Sequence, residues 1–376
     1  MTQSTGRALG AGLVCAAALA AGYGRSPALA QVEPSPASRM LGPAAADANG
    51  KDFIDARGRR WISSGKVVFK EVDVADTERR YAEDRPASPQ PLETLSVREL
   101  AEKLRPRRLV GGYEYRLEQP DLELAERILT MARSRKAPST DGFRPPHMPA
   151  FTPPDVPYPG QARLMPATFI VGGDDRARVG TPRQMPGSAN AYLTQNCTAT
   201  MIGPSTALCA AHCFFQNGWI ASRSITFGAD TVPPVAPFGS FLADSLTLPG
   251  QWNNTEWDWD FAVLEFSPTR FPGRSTGWFG TEVNFNGVNW IVGYPTDKPI
   301  PSPWIKGGTY TAAPGSRYEH NIDIVSGDSG ACAYNVANRC TGIQSTQFRN
   351  SDRTWNEVRR WDAVTFNFFD TYGNWP

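Results

Sequence analysis

Histidine is scarce in this chain: three residues in 376, at His147, His212 and His320. So few imidazoles leave little for a histidine-built metal centre. No grouping of His, Cys, Asp and Glu has metal-ligand spacing, so no cofactor is expected. An excess of one charge sign is missing too. Lysine and arginine number 38 against 37 acidic residues, a formal net charge of +1, which argues against nucleic acid or an acidic membrane surface as partner. Beyond residue 30 no apolar run is long enough to cross a bilayer. Between Glu126 and Ile170 there is no glutamate.

What the chain does have is turn residues. Thirty-four glycines and 33 prolines with 40% hydrophobic residues describe a turn-rich soluble protein, long enough for two or three compact units. Residues 1–30 read as a secretion signal: Arg7, an apolar run from Ala8 to Ala21, and the Ala28-Leu29-Ala30 cleavage site before Gln31. Cys15 leaves with it, and the remaining cysteines suit an oxidising compartment. Residues 31–50 are Ala/Pro-rich. Residues 31–135 then make a propeptide whose later part reads as a small prodomain. Trp61-Ile62 and Lys66 to Lys70 suggest short strands. Ser96-Val97-Arg98-Glu99 is a capping box, and Leu124, Ile128 and Leu129 share a helical face over Asp121 to Ala132. A charged, partly helical segment without its own stability is the alternative. Residues 136–169 are proline-rich, which predicts an extended, accessible linker. After Phe169 come short apolar strands broken by Gly, Pro and Asn, the signature of an all-β barrel or sandwich. Phe366 to Thr371 suggests a short terminal helix.

The chemistry concentrates in Ser326-Gly327-Asp328-Ser329-Gly330-Ala331-Cys332. This run puts Ser329 on a tight turn, where the backbone N–H groups of Gly327 and Ser329 can aim at one developing oxyanion. A serine hydroxyl needs a base to take its proton. His212 supplies one, in Ala210-Ala211-His212-Cys213. Between the two boxes, Asp258-Trp259-Asp260-Phe261-Ala262-Val263-Leu264 offers a carboxylate at the mouth of an apolar strand. Cys332 and Cys340 flank a hairpin-like stretch and are paired across it. Cys209 reads as a small buried hydrophobe.

With these boxes in the order His, Asp, Ser, residues 170–376 resemble the chymotrypsin-like serine proteases. Ile170-Val171-Gly172-Gly173-Asp174-Asp175-Arg176, Trp290-Ile291-Val292-Gly293-Tyr294-Pro295 and Gly342-Ile343 look most like the bacterial glutamyl endopeptidase branch. The resemblance implies an all-β catalytic domain of two six-stranded antiparallel β-barrels, about 170–270 and 271–376, preceded by a signal peptide and a small α+β prodomain. It implies Ser329 as nucleophile, His212 as general base and Asp260, rather than its rival Asp258, as the residue that orients the imidazole. It also implies a Cys197–Cys213 disulfide, worth about 3 kcal/mol in the chain-entropy account. Ser345 falls where relatives support the aspartate; a plain polar strand residue is the alternative. The implied protein is a secreted (extracellular or periplasmic) monomer acting on protein or peptide substrates. Its propeptide would serve as inhibitor or folding aid. A catalytically silent binding protein using the same cleft is the alternative.

Two finer readings follow from the resemblance. Ile170 and Asp328 match the pair in which a freed N-terminal ammonium meets the carboxylate preceding the serine, implying a zymogen cut before Ile170. The alternative is that Ile170-Val171 merely begins a strand. The Phe169-Ile170 bond does not follow a basic residue, and an enzyme strict for Glu could not make that cut itself; Arg163-Leu164 is a neighbouring candidate. For specificity, Gln344 stands where the glutamyl branch has a histidine, Asp323 lies six residues before Ser329 as the trypsin pocket aspartate does, and Gln347 falls where an open pocket has glycine. Ser345 completes this candidate pocket. His320 either reaches it or is a strand residue. The side chain preferred before the scissile bond is left open.

Overall fold

Short runs of apolar residues between turn-formers fold into two sheets, and a computed structural model of the chain describes residues 49–70, 90–134, 138–149, 170 and 173–373, with short breaks at 222–223, 232–233, 268–269, 314 and 350–353. The signal segment, the Ala/Pro-rich stretch to residue 48 and residues 150–169, including Arg163-Leu164 and Phe169, lie outside the described residues. Among the described residues no helix is long and apolar enough to cross a membrane.

The N-terminal module is built on the signals that its sequence carries. Ser96 caps helix Val97–Leu104: its hydroxyl accepts from the Glu99 amide at 3.2 Å, and the Glu99 carboxylate accepts from the Ser96 amide at 2.8 Å. That helix buries Leu100, Ala101 and Leu104, and helix Leu122–Ser134 buries Leu124, Ala125, Ile128 and Leu129. The two helices pack against each other and share one apolar core with an antiparallel ladder of Phe53–Ile54, Arg60–Lys66, Tyr113–Leu117 and Arg107–Val110. A strand over Lys66–Lys70 does not form past Lys66. The ladder ends at the Lys66–Tyr113 pair, and the chain turns off to an isolated bridge between Lys70 and Ile220.

In the C-terminal half, the second barrel is a closed ring of six strands. Val288–Gly293, Trp304–Ala312, Arg317–His320, Thr354–Arg360, Arg339–Arg349 and Cys332–Tyr334 follow one another, and Cys332–Tyr334 pairs back onto Val288–Gly293. The Cys332–Cys340 disulfide crosses the hairpin of Cys332–Tyr334 and Arg339–Arg349, with Cα atoms 5.7 Å apart. The first barrel runs Ser245–Leu248, Ala262–Glu265, Thr206–Cys209, Cys197–Met201, Asn190–Leu193, Ile225–Phe227, Ser240–Phe241. Among the described residues this path is not closed on itself. The outer edge of Ser245–Leu248 pairs instead with Arg107–Val110 of the N-terminal module, which makes one continuous eleven-stranded sheet.

Over its described part the proline-rich stretch is largely exposed and also pairs with the second sheet. Ser139–Thr140 adds to Gly280–Glu282, Phe143 stacks on Trp278 with ring centroids 4.5 Å apart, and Met148 is buried. Proline removes donors but leaves the residues between prolines free to pair. A single apolar core runs from Trp61, Tyr115 and Ile128 of the module to Phe261, Phe368 and Tyr372, each fully buried or nearly so. At about 1.5–3 kcal/mol for each large apolar side chain removed from water, this shared core is a major source of cohesion. A second cluster around Ile291, Tyr310, Ile322 and Val358 fills the second barrel.

Candidate active site

Asp260 follows the single turn Trp257–Trp259 and stands just before strand Ala262–Glu265, whose apolar residues anchor it in the first barrel. Its carboxylate is completely buried and accepts three hydrogen bonds. The His212 amide donates to Oδ1 at 2.9 Å, His212 Nδ1 lies 2.8 Å from Oδ2, and the Ser345 hydroxyl donates to Oδ2 at 2.5 Å. A carboxylate can only accept, so in the neutral imidazole Nδ1 carries the proton and Nε2 is left as the base. His212 sits on the turn Ala211–Cys213, tied to strand Cys197–Met201 by the Cys197–Cys213 disulfide, with Cα atoms 6.2 Å apart. Gln216 donates to the His212 carbonyl at 2.8 Å, and Trp257 meets the imidazole edge-on at 6.2 Å. Asp258 turns elsewhere: it accepts from the Ser316 amide at 2.7 Å, beside Arg317.

The turn carrying Ser329 is clamped from the first barrel. The Thr198 amide donates to the Ser329 carbonyl at 2.8 Å, and the Thr198 hydroxyl donates to the Gly327 carbonyl at 2.7 Å. Gly327 and Gly330 adopt φ of +101° and +86°, and a side chain has no room at either position. A Cβ on Gly327 would lie 2.2 Å from the Tyr294 carbonyl oxygen, and one on Gly330 would lie 2.4 Å from Cys209 Sγ. Cys209 is a buried free thiol that donates to the Thr198 carbonyl at 3.2 Å, and burial pushes its pKa up. With this geometry the amides of Gly327 and Ser329 have no protein acceptor among the described residues. Two unpaired donors beside a serine are what an oxyanion needs.

Ser329 and His212 line one cavity, together with Trp257, Ser326, Ser345 and Gln347. Apart from His212, its wall carries no ionisable side chain. Gln344 and Asp323 are not part of that wall. Gln344 points inward: His320 Nε2 lies 3.0 Å from its Oε1, and its Nε2 donates to the Glu357 carbonyl at 3.3 Å. The Ile322 amide donates to His320 Nδ1 at 3.2 Å, so the proton of the neutral ring is on Nε2, facing Gln344. Burial holds His320 neutral by lowering its pKa to about 3. Asp323 is buried near Lys306 and accepts weakly from the Asp175 amide.

Asp328 is buried with its Oδ2 accepting from the Val325 amide at 2.9 Å. Burial pushes its carboxyl up to about 7, against the pull of that amide and of Arg176, which Asp174 and Asp297 hold in place. Ile170 is half-buried in an uncut chain, where its nitrogen belongs to a peptide bond; Val171 and Gly172 lie outside the described residues. The donors of Cys197, His212 and Cys213 also cluster, but two of the three are joined in a disulfide, so the group is no metal site. Sequence reasoning missed Thr198, Gln216 and Trp257. Gln216, four residues after His212, carried a faint positional signal; Thr198 carried none, because its role depends on a strand meeting a turn 129 residues away.

No protein-family model matches the chain. It is 27% identical over 222 residues to the glutamyl endopeptidase of Bacillus licheniformis, an alignment covering 55% of this chain and 68% of that protein. It is 22% identical over 200 residues to a Bacillus subtilis protein named extracellular metalloprotease, covering 47% of this chain and 63% of that one, which is under two thirds of its length. Among solved structures, one of a Glu endopeptidase in complex with MPD is similar at 25% identity and a TM-score of 0.49, covering 54% of this chain and 98% of that one.

Proposed function

We propose that this chain, a chymotrypsin-like serine endopeptidase near the glutamyl endopeptidase branch, hydrolyses peptide bonds through an ester on Ser329. His212 Nε2 takes the proton of the Ser329 hydroxyl as it attacks the scissile carbonyl, and returns it to the leaving amine. Asp260 holds the imidazole in the needed tautomer and stabilises the imidazolium, with Ser345 fixing the carboxylate. The Gly327 and Ser329 amides receive the charge that gathers on the carbonyl oxygen. Water, deprotonated by the same imidazole, then releases the acyl group. The observation that carries this reading is the meeting of Ser329 and His212 in one cavity with the buried Asp260 behind the ring. A fluorophosphonate probe tests it. Labelling of the processed protein, abolished by Ser329→Ala together with casein hydrolysis, is expected; labelling that survives the substitution would refute it.

The protein is made for export, as the charged-then-apolar start and cysteine usage indicate, and a relative is named extracellular. It is made as a zymogen, cut before Ile170, whose new ammonium pairs with Asp328. A buried carboxylate that accepts a hydrogen bond from the Val325 amide and carries a pKa raised by burial, for want of a stronger counter-charge, supports that step. The side chain preferred before the scissile bond is uncharged. Glutamyl relatives select an acidic one, but here the cavity wall is neutral and Gln344 has both ends of its amide engaged inside the barrel.

A further inference from the structure

We infer that the N-terminal module is a permanent second chain of the active protein rather than a discarded propeptide: once the segment 150–169 is cut, residues 49–149 stay bound without a covalent link. Four observations carry this. First, Arg107–Val110 runs antiparallel along the whole of Ser245–Leu248, Val110 opposite Ser245 and Arg107 opposite Leu248. Ser245–Leu248 is buried throughout, and without the module it would present a bare row of unpaired backbone groups, which sheets do not tolerate well. Second, a charge is matched across the seam. The Arg108 guanidinium donates to Glu265 Oε2 at 2.5 Å and to the Ser245 hydroxyl at 3.1 Å, and all three side chains are buried.

Third, the terminal helix Ala363–Tyr372 has no polar stripe. Only Phe366 and Asp370 are off its buried surface, which fits a helix covered on both sides. The barrel covers one side through Phe261, and the module covers the other, with Trp61 edge-on to Tyr372 at 6.1 Å and helix Leu122–Ser134 alongside. Fourth, the C-terminal half has glycine at two places where the N-terminal backbone lies against it. A Cβ on Gly250 would lie 2.1 Å from the Arg105 carbonyl oxygen, and one on Gly280 would lie 2.1 Å from that of Thr140.

The module leaves the site open, since none of its residues lines the cavity of His212 and Ser329. It braces the loop after His212 instead. The Trp219 indole donates to Glu114 at 2.8 Å, and the Arg107 guanidinium lies over the Phe215 ring at 4.5 Å. Its place is that of a structural subunit.

The inference rests on the chain being processed between 150 and 169, and its test reads association rather than catalysis, so the two can fail separately. A full chain with a recognition site for a sequence-specific protease inserted in 150–169 is cut and run on gel filtration at micromolar concentration. Both fragments are expected in one peak near the 41.1 kDa of the whole chain, separating only in denaturant. Arg108→Glu should split that peak into two after cutting, and adding Glu265→Arg should restore one. Separate elution of the unmodified fragments overturns the inference, whatever their activity; an Arg108→Glu protein that folds, is cut and still co-elutes upholds it and assigns the cohesion to the paired strands and the shared core. If Arg108→Glu does not fold, the unmodified pair decides.

Discussion

Inside the second barrel the His320 Nε2–H donates a hydrogen bond to Gln344 Oε1 across 3.0 Å, and the Gln344 amide N–H donates in turn to the Glu357 carbonyl. The chain of bonds ends there, in the core, behind the cavity. A neutral imidazole backing a neutral amide offers no counter-charge to an acidic substrate, and charge-assisted hydrogen bonds are roughly twice as strong as neutral ones.

Peptide libraries should therefore show little distinction, less than about tenfold in kcat/KM, between Gln and Glu before the scissile bond, since tenfold corresponds to only about 1.4 kcal/mol. A preference for Glu of a hundredfold or more would contradict the neutral pocket.

Asp260→Asn keeps the shape of the carboxylate but presents a donor to His212 Nδ1, which favours the wrong tautomer. The expected fall in kcat is about 10⁴-fold with the disulfides and Tm little changed, as in other triads. Ser345→Ala removes one of three bonds to the same carboxylate and should cost about tenfold in kcat, in keeping with about 1.5 kcal/mol for a hydrogen bond to a charged group. A Ser345→Ala enzyme at full kcat would reduce that serine to a strand residue.

Asp328 gives the uncut chain a pH signature. Its folded pKa of about 7 lies above the ordinary 3.8, so the native state binds more protons than the unfolded one between those values. The group's contribution is most favourable below pH 4 and is lost as pH rises through 7, a swing on the order of 4 kcal/mol. Asp328→Asn should raise the Tm of the uncut chain at pH 8 and leave it nearly unchanged at pH 4, by calorimetry. In a chain cut before Ile170, the proposed ammonium counter-charge predicts that wild type loses most of this dependence.

Cys209 should be silent to thiol reagents. With residues 1–30 absent and both disulfides intact, native protein should release no thiolate signal with an aromatic disulfide reagent, and denatured protein should release one equivalent, because burial disfavours the thiolate. Rapid labelling of the native protein would show that the Ser329 turn, against which this sulfur packs, opens readily.

Sequence alone determined the candidate chemistry, because the proposed nucleophile, base and carboxylate each sit in a short local box whose residues also set its backbone: glycines beside Ser329, a disulfide cysteine beside His212, an apolar strand after Asp260. It likewise determined local elements such as the Ser96 capping box and helix Leu122–Ser134, since caps and helical faces depend on residues three or four apart. What only the tertiary structure decided is everything that depends on two distant stretches meeting. That Gln344 turns inward to His320, that Asp323 lies off the cavity wall, and that Thr198 clamps the Ser329 turn are outcomes of barrel register. The same is true of the module's attachment. Nothing in Arg107–Val110 names Ser245–Leu248 as its partner, because a strand's edge is backbone, and backbone is the same in every sequence.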